Sequence, residues 1–184
     1  MNKKVVPRSG NAAQQRITEK VRDLLFTKTE EEITMNLIAE ELNVTAPTIY
    51  HYFTGKDELL AAGNNLIFKE ISACLNIKFP PSVPPEMKII TTTVMVADYF
   101  MKNGLPAFYL TEDPREKPVN LKEFRKKFTA MFSEYFKTAK GKTSGAEHTA
   151  IRYLALIQAE IVYYRNLGKP LPEDFSEKIF SVIF

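Results

Sequence analysis

The amino-acid sequence predicts an all-α fold, with a short N-terminal module of three helices followed by a larger helical domain. Apolar residues recur at the three- and four-residue spacing of helices along most of the 184 residues, and almost no stretch alternates as a strand does. Pro, Gly and Asn residues divide the chain into segments of helix length. A hydrophobic share of 45% is sufficient to build a core.

Residues 33–60 are predicted to form two short helices joined by a tight turn. The first runs from about Thr34 to Leu42, with Thr34 as its N-cap because a Thr hydroxyl accepts from a free amide of the first turn. Asn43 is expected to end it, since Asn tolerates the left-handed conformation. This turn sets the direction of the second helix.

The second short helix is predicted to begin at its N-cap, Thr45, with Pro47 in the first turn, where a missing N–H costs nothing. Ile49 and Phe53, four residues apart, are its expected inward anchors. The remaining side chains are small, hydrogen-bonding or aromatic, and most are expected to face outward: Ala46, Thr48, Tyr50, His51 and Tyr52. Such groups on a protruding helix suit the major groove of DNA and its flanking phosphates.

This segment resembles the DNA-binding signature of the tetracycline-repressor (TetR) family. The matching residues are Ile38-Ala39, Val44-Thr45, Pro47-Thr48-Ile49-Tyr50, Phe53, Lys56 and Glu58-Leu59. The resemblance begins near Arg16-Ile17 and ends near Leu60. The chain departs from the family pattern at Thr29 and Asn43, where glycines are usual, and at Asn36 and Leu37, where charged residues are frequent.

The resemblance implies a DNA-binding domain over residues 1–55 and a helical ligand-binding and dimerisation domain over residues 56–184. It also implies a repressor that binds a palindromic double-stranded DNA operator as a homodimer. The residues expected to contact DNA are Thr34, Thr45, Ala46, Pro47, Thr48, Tyr50, His51, Tyr52 and Lys56.

Charge is distributed unevenly along the N-terminal third. Residues 1–22 carry six cations and one Glu, whereas residues 23–58 carry two cations and eight carboxylates. The basic arm is therefore expected to supply much of the attraction to phosphate. A second cluster of nine cations, between Arg115 and Lys142, is interpreted as a solvated helix surface.

Helices are predicted for most of the remaining chain, at about 56–77, 86–103, 120–139, 147–167 and 173–184. Proline-rich and glycine-rich segments separate them, the clearest being Phe79–Pro85. Aromatic residues are frequent between Tyr99 and Tyr164, and most are expected to fill the core.

A protein similar to TetR regulators would use this domain to hold a small apolar or aromatic effector, in a site with few polar groups. The residues predicted to contact it are Tyr99, Tyr109, Phe128, Phe132, Tyr153 and Gln158.

The last two predicted helices carry more apolar residues than one core can use, which indicates a subunit interface. The family similarly pairs its last two long helices across a twofold axis. The residues predicted at this interface are Ile151, Leu154, Ile161, Phe175, Ile179 and Ile183.

No catalytic, cofactor or metal site is predicted. Gly141-Lys142-Thr143 lacks the glycine that a phosphate-binding loop needs five residues earlier, and the two histidines lie in different modules. No apolar run reaches the ~20 residues needed to span a membrane, and no signal peptide is indicated, so a cytoplasmic protein is expected. Two alternatives stay open: a DNA-binding dimer without an effector, and an enzyme or carrier with a vestigial helix-turn-helix.

Overall fold

Eight α-helices account for most of the described chain. The computed structural model describes residues 9–104, 119–140 and 145–183. The helices within these ranges are α1 (Ser9–Leu25), α2 (Met35–Glu41), α3 (Ala46–Tyr50), α4 (Lys56–Leu75), α5 (Pro85–Asn103), α6 (Val119–Lys140), α7 (Ala146–Asn166) and α8 (Phe175–Ile183). No strand occurs in these ranges, and the predicted all-α fold is confirmed. None of the described helices has the length and apolar content required to cross a bilayer.

Contacts between residues divide the chain into two units, and the division falls inside α4, after Ile67. The predicted domain boundary after residue 55 coincides instead with the start of α4 at Lys56. That boundary stays a prediction.

The first unit has a core built from one apolar face of each of its helices. Ile17, Val21 and Leu24 lie at helical spacing on α1 and are buried. They share this core with buried residues of the following segments: Ile33, Ile38, Ile49, Phe53 and Leu59. The inner face of the α2–α3 pair therefore packs on this core, and its outer face is exposed to solvent.

Gly63 is the point at which α4 approaches α1 most tightly among the described glycines. A Cβ atom built on Gly63 would lie 2.7 Å from Val21 Cγ1, 3.0 Å from Leu25 Cδ1 and 3.3 Å from the backbone nitrogen of Arg22. Any larger side chain would push the two helices apart. Glycine is therefore required here by close packing and not by a turn.

The second unit packs α5, α6 and α7 around an aromatic core. The fully buried rings include Phe100 of α5, Phe128 and Phe132 of α6, and Tyr153 of α7. The Phe128 and Phe132 rings stack with their centroids 4.1 Å apart. α8 packs on α5 and α7 through buried Phe175 and Ile179.

The predicted helix positions agree with the structure within a few residues. α4 ends at Leu75 and not at Ile77, and α5 begins at Pro85, whose missing N–H is harmless in a first turn. The predicted proline-rich and glycine-rich segments on either side of α6 fall mainly on residues 105–118 and 141–144, which lie outside the described residues.

Candidate nucleic-acid interface

Asn43 forms the turn between α2 and α3 with a left-handed backbone, at φ 54°. Its N–H donates to the carbonyl of Glu40 across 3.0 Å, and the N–H of Val44 donates to the carbonyl of Ala39 across 2.9 Å. This pair of bonds is the Schellman arrangement that ends many helices. The predicted conformation of Asn43 is confirmed, and Asn43 adopts the positive φ for which the family usually has a glycine.

Thr45 precedes α3 in an extended conformation, with φ −93° and ψ 152°, as an N-cap residue does. Its side chain makes no hydrogen bond to the helix backbone. The hydroxyls of Thr45 and Thr48 lie 3.0 Å apart and bond to each other instead. The predicted cap position is confirmed, and the contact between the two threonine hydroxyls takes the place of a side-chain capping bond.

α3 has one buried and one exposed face. Ile49 is fully buried and Phe53 is 2% exposed, which confirms both anchors. Tyr50 is 56% exposed, and Thr48 and His51 are also exposed, as predicted. The helix therefore presents a hydroxyl, a phenol and an imidazole to solvent from a rigidly anchored backbone.

Tyr52 was expected to be exposed, but in the structure its side chain is half-buried. Its ring meets that of His51 edge-on, with centroids 4.9 Å apart and planes at 83°. Tyr52 thus supports the position of His51. Pro47 is exposed and Ala46 is half-buried.

Thr34 caps α2 as predicted, since its Oγ1 accepts from the N–H of Leu37 across 3.1 Å. The hydroxyl hydrogen of Thr34 is left to donate elsewhere, and the residue is exposed. Lys56, the first residue of α4, is half-buried, and its Nζ donates to the carbonyl of Glu31 across 3.1 Å. An ammonium has three donors, so this bond leaves Lys56 able to contact a phosphate.

The start of α4 is fixed by a carboxylate that reaches back to the preceding turn. Oε2 of Glu58 accepts from both the N–H and the hydroxyl of Thr54, each across 2.7 Å. These two hydrogen bonds lower the pKa of Glu58, because they stabilise its ionised form. The first turn of α4, which carries Lys56, is therefore held in register with the end of the α3 segment.

Residues 22–62 match the family model described as "Bacterial regulatory proteins, tetR family". The matched segment contains the α2–α3 pair and the start of α4. The segment forms a DNA-binding domain of the TetR family. A chain with this domain is a DNA-binding transcriptional regulator.

Solved structures with the same fold extend this likeness to almost the whole chain. A TetR transcriptional regulator from Legionella pneumophila aligns with a TM-score of 0.75 at 16% identity, covering 98% of this chain and 97% of that one. A TetR-like transcriptional regulator from Rhodococcus sp. RHA1 aligns with a TM-score of 0.74 at 17% identity, covering 97% and 96%. A tetR-family regulator from Streptomyces coelicolor aligns with a TM-score of 0.73 at 16% identity, covering 94% and 78%. No curated protein matches the chain.

The described part of the DNA-binding unit is acidic. Between residues 9 and 60 the sequence has five cations and nine carboxylates. Two of the cations are paired, Lys20 with Glu41 across 3.2 Å and Arg22 with Asp23 across 2.9 Å. The basic residues at positions 1–8, expected to attract phosphate, lie outside the described residues.

The residues predicted to bind an effector lie mostly in the aromatic core of the second unit. Phe128, Phe132 and Tyr153 are fully buried, and the Phe132 and Tyr153 rings lie 5.3 Å apart. These rings contact one another, so the space directly between them is filled. Tyr99 is half-buried, and its hydroxyl donates to Oε2 of Glu70 across 2.7 Å.

Two other predicted effector residues complete this set. Gln158 is half-buried, and its Nε2 is a buried donor that has no hydrogen-bond partner within the described chain. Tyr109 lies outside the described residues. The effector-binding role of all six residues stays a prediction.

Four of the residues predicted at the dimer interface are buried within a single chain. Leu154 is 7% exposed, Ile161 is fully buried, and Phe175 and Ile179 are 5% and 4% exposed. The prediction that they form apolar surface left uncovered by one chain is wrong, because a single chain already buries all four. Ile151 is 51% exposed, as an interface residue requires, and the side chain of Ile183 lies outside the described set.

Sequence reasoning missed a group of basic residues where α5 and α7 end: Lys102, Arg165 and Lys169. A signal for it was present in Leu167-Gly168-Lys169, because Gly after an apolar helical segment marks a helix end and a change of direction. The partners of Arg165, which lie more than 60 residues earlier, could not be found that way.

Proposed function

We propose that this protein is a homodimeric repressor that binds a palindromic operator and releases it when a small apolar or aromatic effector binds. The proposal has three parts, namely operator reading by α3, dimerisation through α7, and an effector site in the second unit. We further propose a cytoplasmic location, where operator DNA is found.

The observation that carries the proposal is the two-faced construction of α3. Ile49 and Phe53 fix the helix to the core, while Thr48, Tyr50 and His51 project outward. A helix of this kind can enter a major groove, where hydroxyl and imidazole groups meet base edges and a phenol meets a phosphate or a thymine methyl group. Thr34 and Lys56 flank the helix and supply further phosphate contacts.

Dimerisation is supported by an exposed apolar strip on α7, which we call the α7 strip: Ile151, Ala155, Ala159 and Tyr163. Its members follow at four-residue intervals and therefore share one face of the helix. Ile151 is 51% and Tyr163 is 57% exposed. The two alanines allow a second helix to approach closely. We propose that this strip, with exposed Val182 of α8, replaces the buried residues as the centre of the interface.

The effector site is supported by two buried polar atoms without partners in the described chain, Oγ1 of Thr92 and Nε2 of Gln158. Buried donors and acceptors are nearly always paired in folded proteins, and an unpaired one costs roughly 1–3 kcal/mol. Gln158 was among the predicted effector residues. An effector carbonyl or ether oxygen that accepts from Gln158 would satisfy this atom.

We propose that α4 carries the signal. In the first unit, Asn64 of α4 donates to Oε1 of Glu30 across 3.2 Å and Lys56 donates to Glu31. In the second unit, Glu70 of α4 accepts from Tyr99 of α5. An effector must bind the DNA-incompetent dimer more tightly than the competent one, and the ratio of the two affinities limits the response.

The proposal is tested with a labelled duplex taken from the DNA upstream of the protein's own gene, and a scrambled duplex as control. We expect the upstream duplex to bind more tightly by about a thousandfold or more, with a symmetric footprint and a dimer in light scattering. Equal affinity for both duplexes would contradict the proposal that the protein recognises an operator in this DNA. A salt-dependent preference for the upstream duplex would also remove the alternative of an enzyme or carrier with a vestigial helix-turn-helix.

A second candidate is a DNA-binding dimer without an effector. The filled space between Phe128, Phe132 and Tyr153 favours it, because these rings leave no room for a ligand between them. The two candidates differ in one measurement. A thermal shift and loss of operator binding with an apolar compound support the effector, whereas a panel of such compounds without effect supports the second candidate.

A further inference from the structure

A cleft of about 670 Å³ opens where α5 and α7 end, within the second unit. Met101 and Leu171 give it apolar walls, and Lys102, Arg165 and Lys169 give it a basic rim. It lies apart from the stacked rings of Phe128 and Phe132, which do not line it. The volume is in the range of small-molecule sites.

The end of α7 brings two of these cations together. Gly168 adopts φ 63°, its N–H donates to the carbonyl of Arg165 across 2.9 Å, and the N–H of Lys169 donates to the carbonyl of Tyr164 across 3.0 Å. This Schellman arrangement reverses the chain directly after the helix. Lys169 is thereby fixed beside the last turn of α7, which carries Arg165.

Arg165 is held in place by the end of α5. Its Nη1 donates to the carbonyls of Phe100 and Met101, across 3.2 and 2.9 Å. A guanidinium has five N–H donors, and those on Nε and Nη2 have no partner among the described residues. The Nε–Nη2 edge is one that binds a carboxylate with two parallel hydrogen bonds. Because Arg165 is already immobilised, little side-chain entropy would be lost when a ligand binds.

The cleft has more positive charge than the helix ends require. A cation in the last turn offsets the negative end of a helix dipole, which accounts for Lys102 on α5 and Arg165 on α7. Lys169 is additional to these two. The one carboxylate that lines the cleft, Asp98, forms no ion pair with the three cations in the described chain. The cleft therefore carries a net charge of about +2 that no protein group neutralises.

We infer that this cleft binds a small amphipathic anion, a carboxylate attached to an apolar body. The carboxylate pairs with the free edge of Arg165 and with the ammonium groups of Lys102 and Lys169, and the apolar body lies against Met101 and Leu171. Asp98 at the rim disfavours polyanions such as nucleotides, because it repels further negative charge. The inference does not depend on operator binding, since it concerns direct binding to the second unit.

Isothermal titration of the full chain with sodium decanoate, and with decanol as the neutral partner, tests this inference. The double variant Lys102→Gln, Lys169→Gln removes the two lysine cations of the cleft and keeps Arg165. The double variant Lys69→Gln, Lys78→Gln is its matched control, because it makes the same change of charge at exposed positions outside the cleft. Melting curves of both variants verify that each is folded.

We expect decanoate to bind the wild type and the control variant equally, and to bind the cleft variant at least about tenfold more weakly. Decanol should bind all three proteins weakly and alike, and higher salt should weaken decanoate binding only where the cleft is intact. Arg165→Lys, which keeps the charge but loses the planar fork, should also weaken binding. Equal decanoate affinity in the cleft and control variants would overturn the inference, as would equal binding of decanol and decanoate.

Two further arms define the ligand. Decyl sulfate in place of decanoate separates carboxylate geometry from charge alone, and weaker binding of the sulfate supports the bidentate contact with Arg165. Vesicles containing phosphatidylglycerol test a membrane surface. Binding to vesicles through the same lysines, without binding of free decanoate, would contradict a small-molecule site.

Discussion

The hydroxyl of Tyr153 on α7 lies 2.8 Å from Oγ1 of Thr93 on α5, and both residues are fully buried. Thr93 has a single hydroxyl hydrogen, and its Oγ1 lies 2.8 Å from the carbonyl of Ile89, which can only accept. Thr93 therefore donates to Ile89, and Tyr153 donates to Thr93. This chain of two bonds satisfies every polar atom of the Tyr153 side chain and fixes α7 against α5.

Burial raises the pKa of Tyr153 to about 12, and the hydrogen bond with Thr93 opposes this shift only in part. A raised pKa means that the folded state favours the neutral phenol, so the stabilisation is complete below the unfolded pKa of about 10 and is lost as pH rises to about 12. We expect the free energy of unfolding to fall by roughly 2–3 kcal/mol across that interval. Urea denaturation at a series of alkaline pH values measures it.

Tyr153→Phe should remove this component of the pH dependence at a cost of about 1 kcal/mol at neutral pH, because Thr93 keeps its bond to Ile89. Tyr50→Phe is the matched control, since Tyr50 is 56% exposed and lies outside the α7 strip, so its change should leave the alkaline profile as in the wild type. Identical alkaline profiles for the wild type and Tyr153→Phe would contradict the assignment.

Substitution of Tyr50 or His51 by Ala should weaken specific operator binding by about 1–3 kcal/mol and leave the melting temperature unchanged. Both side chains are exposed, so neither contributes to the core. Lys56→Ala should reduce the salt dependence of binding, and it also removes the bond to Glu31. Anisotropy titrations with labelled operator provide the measurement, with Met87→Ala as the control, because Met87 is an exposed side chain of α5 outside both α3 and the α7 strip. Wild-type affinity in the Tyr50 and His51 variants would exclude α3 as the reading helix.

Gly63→Ala should destabilise the first unit by about 1–3 kcal/mol, because the new methyl group would lie 2.7 Å from Val21 Cγ1. Gly55→Ala is the control, since nothing lies within 4 Å of a Cβ at that position, and it should change stability by less than about 1 kcal/mol. Chemical denaturation distinguishes the two variants. If both are equally stable, α1 and α4 are not packed at Gly63 as described.

Ala159→Glu should convert the dimer to a monomer and abolish operator binding at the same time. The substitution places a carboxylate on the α7 strip, next to the same residue of the second subunit, without disturbing the buried core. Ala130→Glu makes the same change at an exposed position of α6 and should remain dimeric. Light scattering at micromolar concentration reports both. A wild-type monomer under these conditions would exclude the proposed dimer.

Gln158→Leu should stabilise the protein without ligand and reduce its response to an effector. The change removes a buried donor that has no partner, which is worth roughly 1–3 kcal/mol, and it removes the polar contact proposed for the effector. Thermal denaturation in the presence and absence of effector measures both changes. A less stable Gln158→Leu protein would show that Nε2 is satisfied in solution.

Local chemistry made the helix-turn-helix predictable. Asn43, Thr34, Ile49 and Phe53 each act within a few residues of the chain, and their conformation or burial follows from capping, turn preference and helical spacing. The bond between Thr45 and Thr48 was not predicted, because the side chain of Thr48 competes with the helix backbone for the hydroxyl of Thr45.

Tertiary packing decided what could not be predicted. Leu154 and Ile161 belong to a helix that is apolar on most sides, and periodicity does not tell which side meets α5 and α8 and which meets solvent. The aromatic core was foreseen as a set of residues, whereas the contact of Phe132 with Tyr153 depends on how α6 and α7 pack. Arg165 gave no local sign of its bonds to the end of α5.

The uneven charge of the N-terminal third has a consequence for how the regulator meets DNA that is not its operator. Non-specific binding to DNA is driven almost wholly by cations that displace counterions from phosphate, and residues 9–60 have only five cations against nine carboxylates. Lys3, Lys4 and Arg8 are therefore expected to provide most of the attraction to random sequence. The search for an operator then depends on these N-terminal residues, whereas the choice of the operator depends on α3.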